Sequence, residues 1–449
     1  MATRRFDVVI LGGGNAGMGV TGPTREAGMS VALLEPVAVG GTCTNRGCTP
    51  KKVLVAAAQA LHAIERAAFH QIKVGKPKLD WAGLIDREKG LIADLPHQQA
   101  KDLVDRGVTL IEAAGRFVGE NAIATADDVL EARHIVVATG SKHRPLGLPG
   151  EELMITSDEV LSERRQPSSV VFIGGGVIAF EFAHVYARAG TRVTILQPGS
   201  RFLGKFDSDA VAQVVAESRR IGIDARLGAE PRRIEKARGG LRVVFEEGGT
   251  EQALTADRVI HGAGRVADLD AIDLPAGNVA VADGRIRTDR HMRSTSNAAV
   301  FACGDALAGK QQLSPIATYD GTVVGRNIVG AGQVPDYSSI PSCLYTVPAL
   351  AMVGLTEAEA RREGLDCRVE MRDMHEWLSG RTYAETAAWA KVIIDRGSDR
   401  ILGAHIVGHA GEELIHLFAL AMRHGITAGA MKAAVYAYPT FSSDVRYVL

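Results

Sequence analysis

The chain has 449 residues, 46% of them hydrophobic and 23% charged, with a formal net charge of −1. That length exceeds one ordinary core, so two to four domains are expected, and the near-neutral charge gives no reason to expect nucleic acid or an anionic membrane as partner. Five cysteines are too few for a disulfide scaffold, so any cystine is expected to be catalytic rather than structural.

Phe6-Asp7-Val8-Val9-Ile10-Leu11 reads as a buried parallel strand and leaves no room for a signal peptide. No apolar run reaches membrane-spanning length; the stretch around Val170 to Ala187 is interrupted by glycines and Glu181. A cytoplasmic protein is expected. Gly12-x-Gly14-x-x-Gly17 then opens a helix to about Ala27, and the strand Val31 to Leu34 ends in Glu35. Such a β-α-β unit binds a dinucleotide. Gly12 allows the tight turn, Gly14 lets the backbone approach a pyrophosphate, Gly17 lets helix and strand pack, and Glu35 can accept from a ribose diol.

Directly after it comes Gly40-Gly41-Thr42-Cys43-Thr44-Asn45-Arg46-Gly47-Cys48-Thr49-Pro50-Lys51-Lys52. On an ideal helix the Cα atoms of Cys43 and Cys48 would lie about 8.6 Å apart. A disulfide tolerates only roughly 7 Å. The segment must be distorted if the bond forms, and Gly47 is placed to allow it. A zinc site would need a second Cys or His pair at ligand spacing, and none accompanies this one; two packed thiols remain the plain alternative. Helical spacing follows over residues 53 to 70 and from about Trp81 to Arg106. Thr139-Gly140, after Ile135 to Ala138, reads as a strand ending in a tight turn.

The β-α-β pattern recurs: the strand Val170 to Ile173, a turn with Gly174, Gly176 and Ala179, a helix to about Ala189, and the strand Arg192 to Leu196. Two units imply two dinucleotides. Gln197 stands where Glu35 stands in the first unit, and it lacks the charge that would repel a 2′-phosphate. Arg201 and Lys205 lie just beyond, so NADPH is favoured over NADH. Short strands alternate with charged turns from about 230 to 260, and Gly262-Ala263-Gly264-Arg265 closes the strand Val259-Ile260. Val300 to Asp305 is another strand ending in Gly-Asp, and Asp305 could hold a ribityl hydroxyl. Pro335 to Pro341 marks a boundary. A hairpin over Lys391 to Ile394 and Ile401 to Val407 follows, then a helix from about Glu412 to Arg423.

Glycine loop, Gly-Gly-Thr-Cys-x4-Cys-x-Pro-x-Lys, second glycine loop and Ala-Cys-Gly-Asp occur here in one order. That set resembles the class I flavoprotein disulfide reductases: glutathione reductase, dihydrolipoamide dehydrogenase and mercuric reductase. The resemblance runs over essentially the whole chain, including Tyr345-Thr346-Val347-Pro348 to Ala360. It implies an α/β fold with two Rossmann-like dinucleotide-binding domains and a C-terminal α+β dimerisation domain. The expected divisions are 1–147 (FAD, first part, with the redox pair), 148–265 (NAD(P)), 266–335 (FAD/central, second part) and 336–449 (dimer interface).

By resemblance, FAD binds at Gly12, Gly14, Gly17, Glu35, Thr42 and Asp305, with Thr139 and Gly140 beside it. The nicotinamide cofactor uses Gly174, Gly176, the region of Gln197 to Lys205 including Arg201, and Gly264. Cys48 matches the thiol against the flavin and Cys43 the interchange thiol that attacks substrate. Lys52 and Glu181 match an ion pair near the flavin's reactive edge. Electrons are then expected to pass from NAD(P)H via FAD to the Cys43–Cys48 disulfide and on to a small disulfide-type acceptor. A homodimer is implied, with Tyr438 and Pro439 reaching the partner's flavin.

The chain departs from the family at its end, where His-Pro-Thr-x-x-Glu-Glu is usual and this chain reads Tyr438-Pro439-Thr440-Phe441-Ser442-Ser443-Asp444. Tyr438 replaces the histidine and Ser443 its glutamate. A phenol is roughly one part in a thousand ionised at pH 7, a poor base. His405, His409 or His416 could substitute. Three other readings stay open: a metal-ion reductase of the mercuric type, although the C-terminal cysteine pair of that enzyme is absent here; a reductase-carboxylase lacking the proton donor; and a redox sensor that is not an enzyme.

Overall fold

The computed structural model describes residues 2–307 and 312–449. The chain divides into two compact units, residues 1–51, 86–145 and 265–336, and residues 52–85, 146–264 and 337–449.

The first unit is built on one sheet. Its parallel core runs in the order Thr109–Ile111, Val31–Leu34, Ala2–Leu11, Asp128–Val137, with Val300–Ala302 also pairing Asp128–Val137. Two short antiparallel strands, Ala122–Ala124 and Arg116–Gly119, extend the edge. Val8 to Leu11 are wholly buried, as an unbroken apolar run in a parallel sheet should be. The strand is four residues longer than its apolar stretch. Ala2 to Arg5 pair with Asp128 to Glu131 on a wetter edge, where Arg5 meets Glu131 at 2.9 Å, so hydrophobicity could not reveal them.

The first strand has neighbours on both sides, reached by connections running in opposite directions. Its carboxyl end is therefore the crevice in which such sheets hold ligands. Helix Asn15–Glu26 starts there, and helix Ser314–Ile328 lies against it. Their backbones touch: a Cβ on Gly321 would sit 2.0 Å from the Ala16 carbonyl oxygen, and one on Gly19 2.6 Å from that of Thr318. The two helices thus run side by side from a common start, Asn15 beside Ser314.

In the second unit a parallel sheet is ordered Asp224–Leu227, Arg192–Gln197, Ser169–Ile173, Arg258–His261, again with a switch point at the strand preceding the glycine loop. A three-stranded antiparallel meander covers 229–256, which accounts for the charged turns in that stretch. The C-terminal part of the unit is a five-stranded antiparallel sheet, Ser342–Leu344, Leu350–Gly354, Ile401–Val407, Trp389–Asp395, Cys367–Asp373. Helix Gly411–His424 packs on it through Leu414, Ile415 and Phe418.

Two helical expectations need correction. The stretch from Trp81 to Arg106 is two helices, Trp81–Ile92 and Leu95–Asp105. Pro96 lies in the first turn of the second helix, where its missing N–H costs nothing, and inside one continuous helix it would break a hydrogen bond. The helix expected over 53 to 70 begins earlier, at Cys48, and ends at Arg66, with a 3₁₀ turn Ala67–His70 after it.

Candidate active site

The first glycine loop is a close-packed backbone cradle. Gly12 has φ +112°, and a Cβ there would lie 2.3 Å from the Ala138 carbonyl oxygen; no other residue fits. Both oxygens of Glu35 accept from backbone, one from Gly13 N at 2.9 Å and one from Val37 N at 3.0 Å. The carboxylate is therefore fixed at the loop with lone pairs to spare for a ribose diol. Gly40 N donates to Gly13 O at 2.9 Å, and Gly14 bridges Gly40. This seam stitches the cysteine segment onto the nucleotide loop.

Helix Gly41–Arg46 carries Thr42 and Cys43, and helix Cys48–Arg66 starts with the second cysteine. Between them Gly47 adopts φ −141°, ψ −114°, breaking what would otherwise be one helix. The two thiols then meet: Cys43 and Cys48 are hydrogen-bonded to each other. All five cysteines are thiols in this structure. A Cβ on Gly47 would lie 2.7 Å from the Thr42 carbonyl oxygen. Gly47→Ala is expected to cost about 1–3 kcal/mol, read as a lowered thermal midpoint of the reduced holoenzyme; an unchanged midpoint would show that the break does not need glycine.

Cys43 differs from Cys303 and Cys343. Its strongest influence is the Cys48 hydrogen bond. Burial opposes that, and Ser314, Asn15 and Thr49 add further hydrogen bonds, bringing its pKa down to about 6. Ser314 Oγ donates to Cys43 Sγ at 3.0 Å. Burial pushes the Cys343 thiol up to about 11 and that of Cys303 well above the ordinary range. A thiolate is the nucleophile in thiol chemistry; the surroundings of Cys43 favour that form and those of Cys303 oppose it. Neither Asn15 nor Ser314 was legible as functional. Asn15 is a variable position of the glycine loop, and Ser314 reads as an ordinary residue before the helix-starting Pro315. The one available signal was a hydrogen-bonding side chain at the first position of each helix.

Asp305, in the 3₁₀ turn Gly304–Leu307, accepts from Ser141 Oγ at 2.8 Å. Thr139 Oγ1 is buried with no partner in the protein, and Gly140 has φ +76°. An orphaned buried hydroxyl beside a glycine cradle fits a polar ligand such as a flavin nucleotide. These groups, with Gly12, Gly14, Gly17, Glu35 and Thr42, all belong to the first unit.

In the second unit Gly174 has φ +97°, and a Cβ on it would lie 2.6 Å from Ala263 Cα. Gln197 Oε1 accepts from Gly175 N at 2.7 Å, repeating the Glu35 contact with a neutral side chain. A cavity of about 540 Å³ opens there, lined among others by Gly174, Gly176, Gln197, Arg201, Glu230 and Gly264. Arg201 Nη2 donates to the Phe206 carbonyl at 3.3 Å; Lys205 is not among the lining residues.

Lys52 and Glu181 converge on one residue. The Lys52 ammonium lies 4.0 Å from the centroid of the Tyr345 ring, and Glu181 Oε1 accepts from Tyr345 N at 2.8 Å. Glu181 is buried. Tyr438 is 74% exposed, and Pro439 precedes the cap of helix Phe441–Val448. Ser443 is buried, and its hydroxyl donates to the Thr440 carbonyl at 2.6 Å, so it serves its own helix start. Of the histidines offered as replacement bases, two are buried and one is exposed. His405 is buried against the Leu355 carbonyl at 3.0 Å. His409 is buried with Nε2 2.8 Å from Asp444 Oδ2, burial holding its pKa below the ordinary value against Asp444 and Glu385. His416 sits exposed on helix Gly411–His424.

Among the described residues no helix is long and apolar enough to cross a membrane. Residues 6–321 match the family model for pyridine nucleotide-disulphide oxidoreductases, and residues 340–448 the model for their dimerisation domain. Glutathione reductase of Burkholderia cepacia is 30% identical over 98% of this chain and 97% of its own length. Dihydrolipoyl dehydrogenase of Chlorobaculum tepidum is 30% identical over 98% and 96%. Mercuric reductase of Bacillus cereus is 27% identical over 98% and 70%.

Proposed function

The chain belongs to the pyridine nucleotide-disulphide oxidoreductases, enzymes that work with FAD and NAD(P)H, and from that premise we propose that it reduces a small disulfide through Cys43 and Cys48. The observation that carries this reading is the contact of the two thiols across Gly47, with the pKa of Cys43 held below the ordinary thiol value.

FAD is held in this reading by Gly12, Gly14, Gly17, Glu35, Thr42, Thr139, Gly140 and Asp305, and it supplies the relay of two electrons from the nicotinamide to the Cys43–Cys48 disulfide. The chain's own sulfurs do the rest. Cys43 thiolate attacks one sulfur of the acceptor disulfide, forming a mixed disulfide and expelling the other sulfur as a thiolate. Cys48 thiolate then attacks Cys43 Sγ, closing the Cys43–Cys48 bond and releasing the second thiolate. Both released thiolates take protons, so one NAD(P)H and one proton convert one disulfide to two thiols. Lys52 and Glu181, joined through Tyr345, are the candidate charges for the flavin's reactive edge. Tyr438 and Pro439 are the candidate contribution from a second copy, and the exposed Leu378, Val435 and Tyr438 are apolar surface such a homodimer would cover. A cytoplasmic location fits this reading, since NAD(P)H is an intracellular reductant.

Gly174, Gly176, Gln197, Arg201 and Gly264 are assigned to the nicotinamide cofactor, with NADPH preferred. Arg201→Ala is expected to raise the KM for NADPH about tenfold, the loss of one charge-assisted hydrogen bond, and to change the KM for NADH less than twofold. Equal changes for both would remove the argument for NADPH. Turnover with glutathione, lipoamide, coenzyme A, cystine and small-thiol disulfides, and with Hg(II) in excess thiol, measured under each nicotinamide, tests the reading itself. Oxidation of NADPH with Hg(II) alone, and with none of the disulfides, would replace it with the metal-ion reductase.

A further inference from the structure

Where the family usually supplies a histidine–glutamate pair, this chain has Tyr438 and Ser443, and Ser443 is taken up by its own helix cap. Something else must keep the interchange thiol reactive. The first unit places a group of hydrogen-bonding side chains at Cys43.

Helix Asn15–Glu26 and helix Ser314–Ile328 begin at the same place. Ser314 Oγ donates to Cys43 Sγ at 3.0 Å, and Asn15 Nδ2 donates to Ser314 Oγ. Ser314 is thus oriented. Its oxygen is occupied as acceptor by the Asn15 amide, which leaves its one proton for the sulfur. The glycine seam at Gly19 and Gly321 brings the two helix backbones into contact, which sets Asn15 and Ser314 side by side at the paired first turns. Each helix also presents the positive end of its dipole there, which favours an anion.

We propose that Asn15 and Ser314 form a positioning relay that holds Cys43 as a thiolate within its own subunit, so that the interchange thiol needs no histidine base. The proposal rests on the reading of Cys43 as the attacking thiol. The relay stabilises the nucleophile and does not protonate the departing thiol, since a serine hydroxyl is far too weak an acid for that; water takes that task. The groups that face Cys43 are Cys48, Ser314, Asn15 and Thr49. With a pKa of about 6 the sulfur is about nine-tenths thiolate at pH 7, against a few per cent for an ordinary cysteine.

The test is the pH dependence of Cys43 alkylation by iodoacetamide in holoenzyme reduced with dithiothreitol, followed at the Cys43 peptide by mass spectrometry. The wild-type midpoint is expected near 6. Ser314→Ala should raise it by about one unit and slow alkylation at pH 6 about fivefold, Asn15→Ala should raise it by less, and Ser314→Thr, which keeps the hydroxyl, should restore it. If Ser314→Ala fails to hold flavin, Ser314→Gly is measured in its place, with the same rise expected. A midpoint unmoved by loss of the hydroxyl, or moved equally by Ser314→Thr, overturns the relay. Because dithiothreitol does the reducing, this result is independent of whether NADPH turns over any disulfide, which is where failure of the functional reading would show.

Discussion

Cys48→Ser is expected to lower NADPH-driven disulfide reduction by about a thousandfold or more, the scale of removing one member of a nucleophilic pair that acts as a unit. The variant keeps Cys43 with Ser314 and Asn15 beside it, so the first attack survives and the second cannot follow. Protein mixed with an acceptor disulfide should therefore accumulate a mixed disulfide on Cys43, visible as a mass increase of one acceptor half. Anaerobic titration with NADPH should take up two electrons in the variant and four in the wild type, because the Cys43–Cys48 bond accounts for the second pair. Cys48 begins helix Cys48–Arg66, where serine is well tolerated, so loss of fold does not explain the result. Full turnover in Cys48→Ser would end the dithiol mechanism.

Lys391→Met should destabilise the second unit by about 3–5 kcal/mol, the cost of stranding a buried charge whose partner has been removed. Lys391 and Asp207 are each only 2% exposed, with Nζ 3.0 Å from Asp207 Oδ1 and 2.9 Å from Glu357 Oε2; Asp209 completes the cluster. Burial opposes the lysine's charge, but the hydrogen bonds it donates to Asp209, Glu357 and Asp207 outweigh it and hold its pKa above the ordinary value. Against burial, His405 and then Lys391 hold the Asp207 carboxyl below the usual carboxylate range. The signs fix a window. Asp207 contributes stability above its unfolded pKa near 4, lost as pH falls through its lower folded value. Lys391 contributes below its unfolded pKa near 10.5, lost as pH rises through its higher folded value. The wild-type advantage over Lys391→Met should therefore be flat between about pH 5 and 9 and shrink outside it. Thermal unfolding should show a midpoint about 10 °C lower at neutral pH; a shift under 2 °C would mean the cluster is solvent-screened after all.

The two nucleotide loops were readable because each is local. A buried strand, a glycine turn and a helix lie within thirty residues, and the backbone angles at Gly12 and Gly174 admit little but glycine. The cysteine pair was readable for the same reason, down to the break at Gly47. Apolar spacing alone could not place the remaining boundaries. Ala2 to Arg5 and the break before Pro96 are set by strand pairing and by a missing N–H, neither of which alters hydrophobic periodicity.

The sequence by itself determined the family, the two cofactor loops, the order of the elements and the loss of the histidine–glutamate pair, because each is written in contiguous residues whose local geometry few other residues could satisfy. The meeting of Asn15 and Ser314 at Cys43 was decided only by the tertiary structure. So were the engagement of Ser443 in its own cap and the burial of His405 and His409. Partners nearly three hundred residues apart are joined by helix packing rather than by spacing along the chain, and a side chain's chemistry follows from what surrounds it in space.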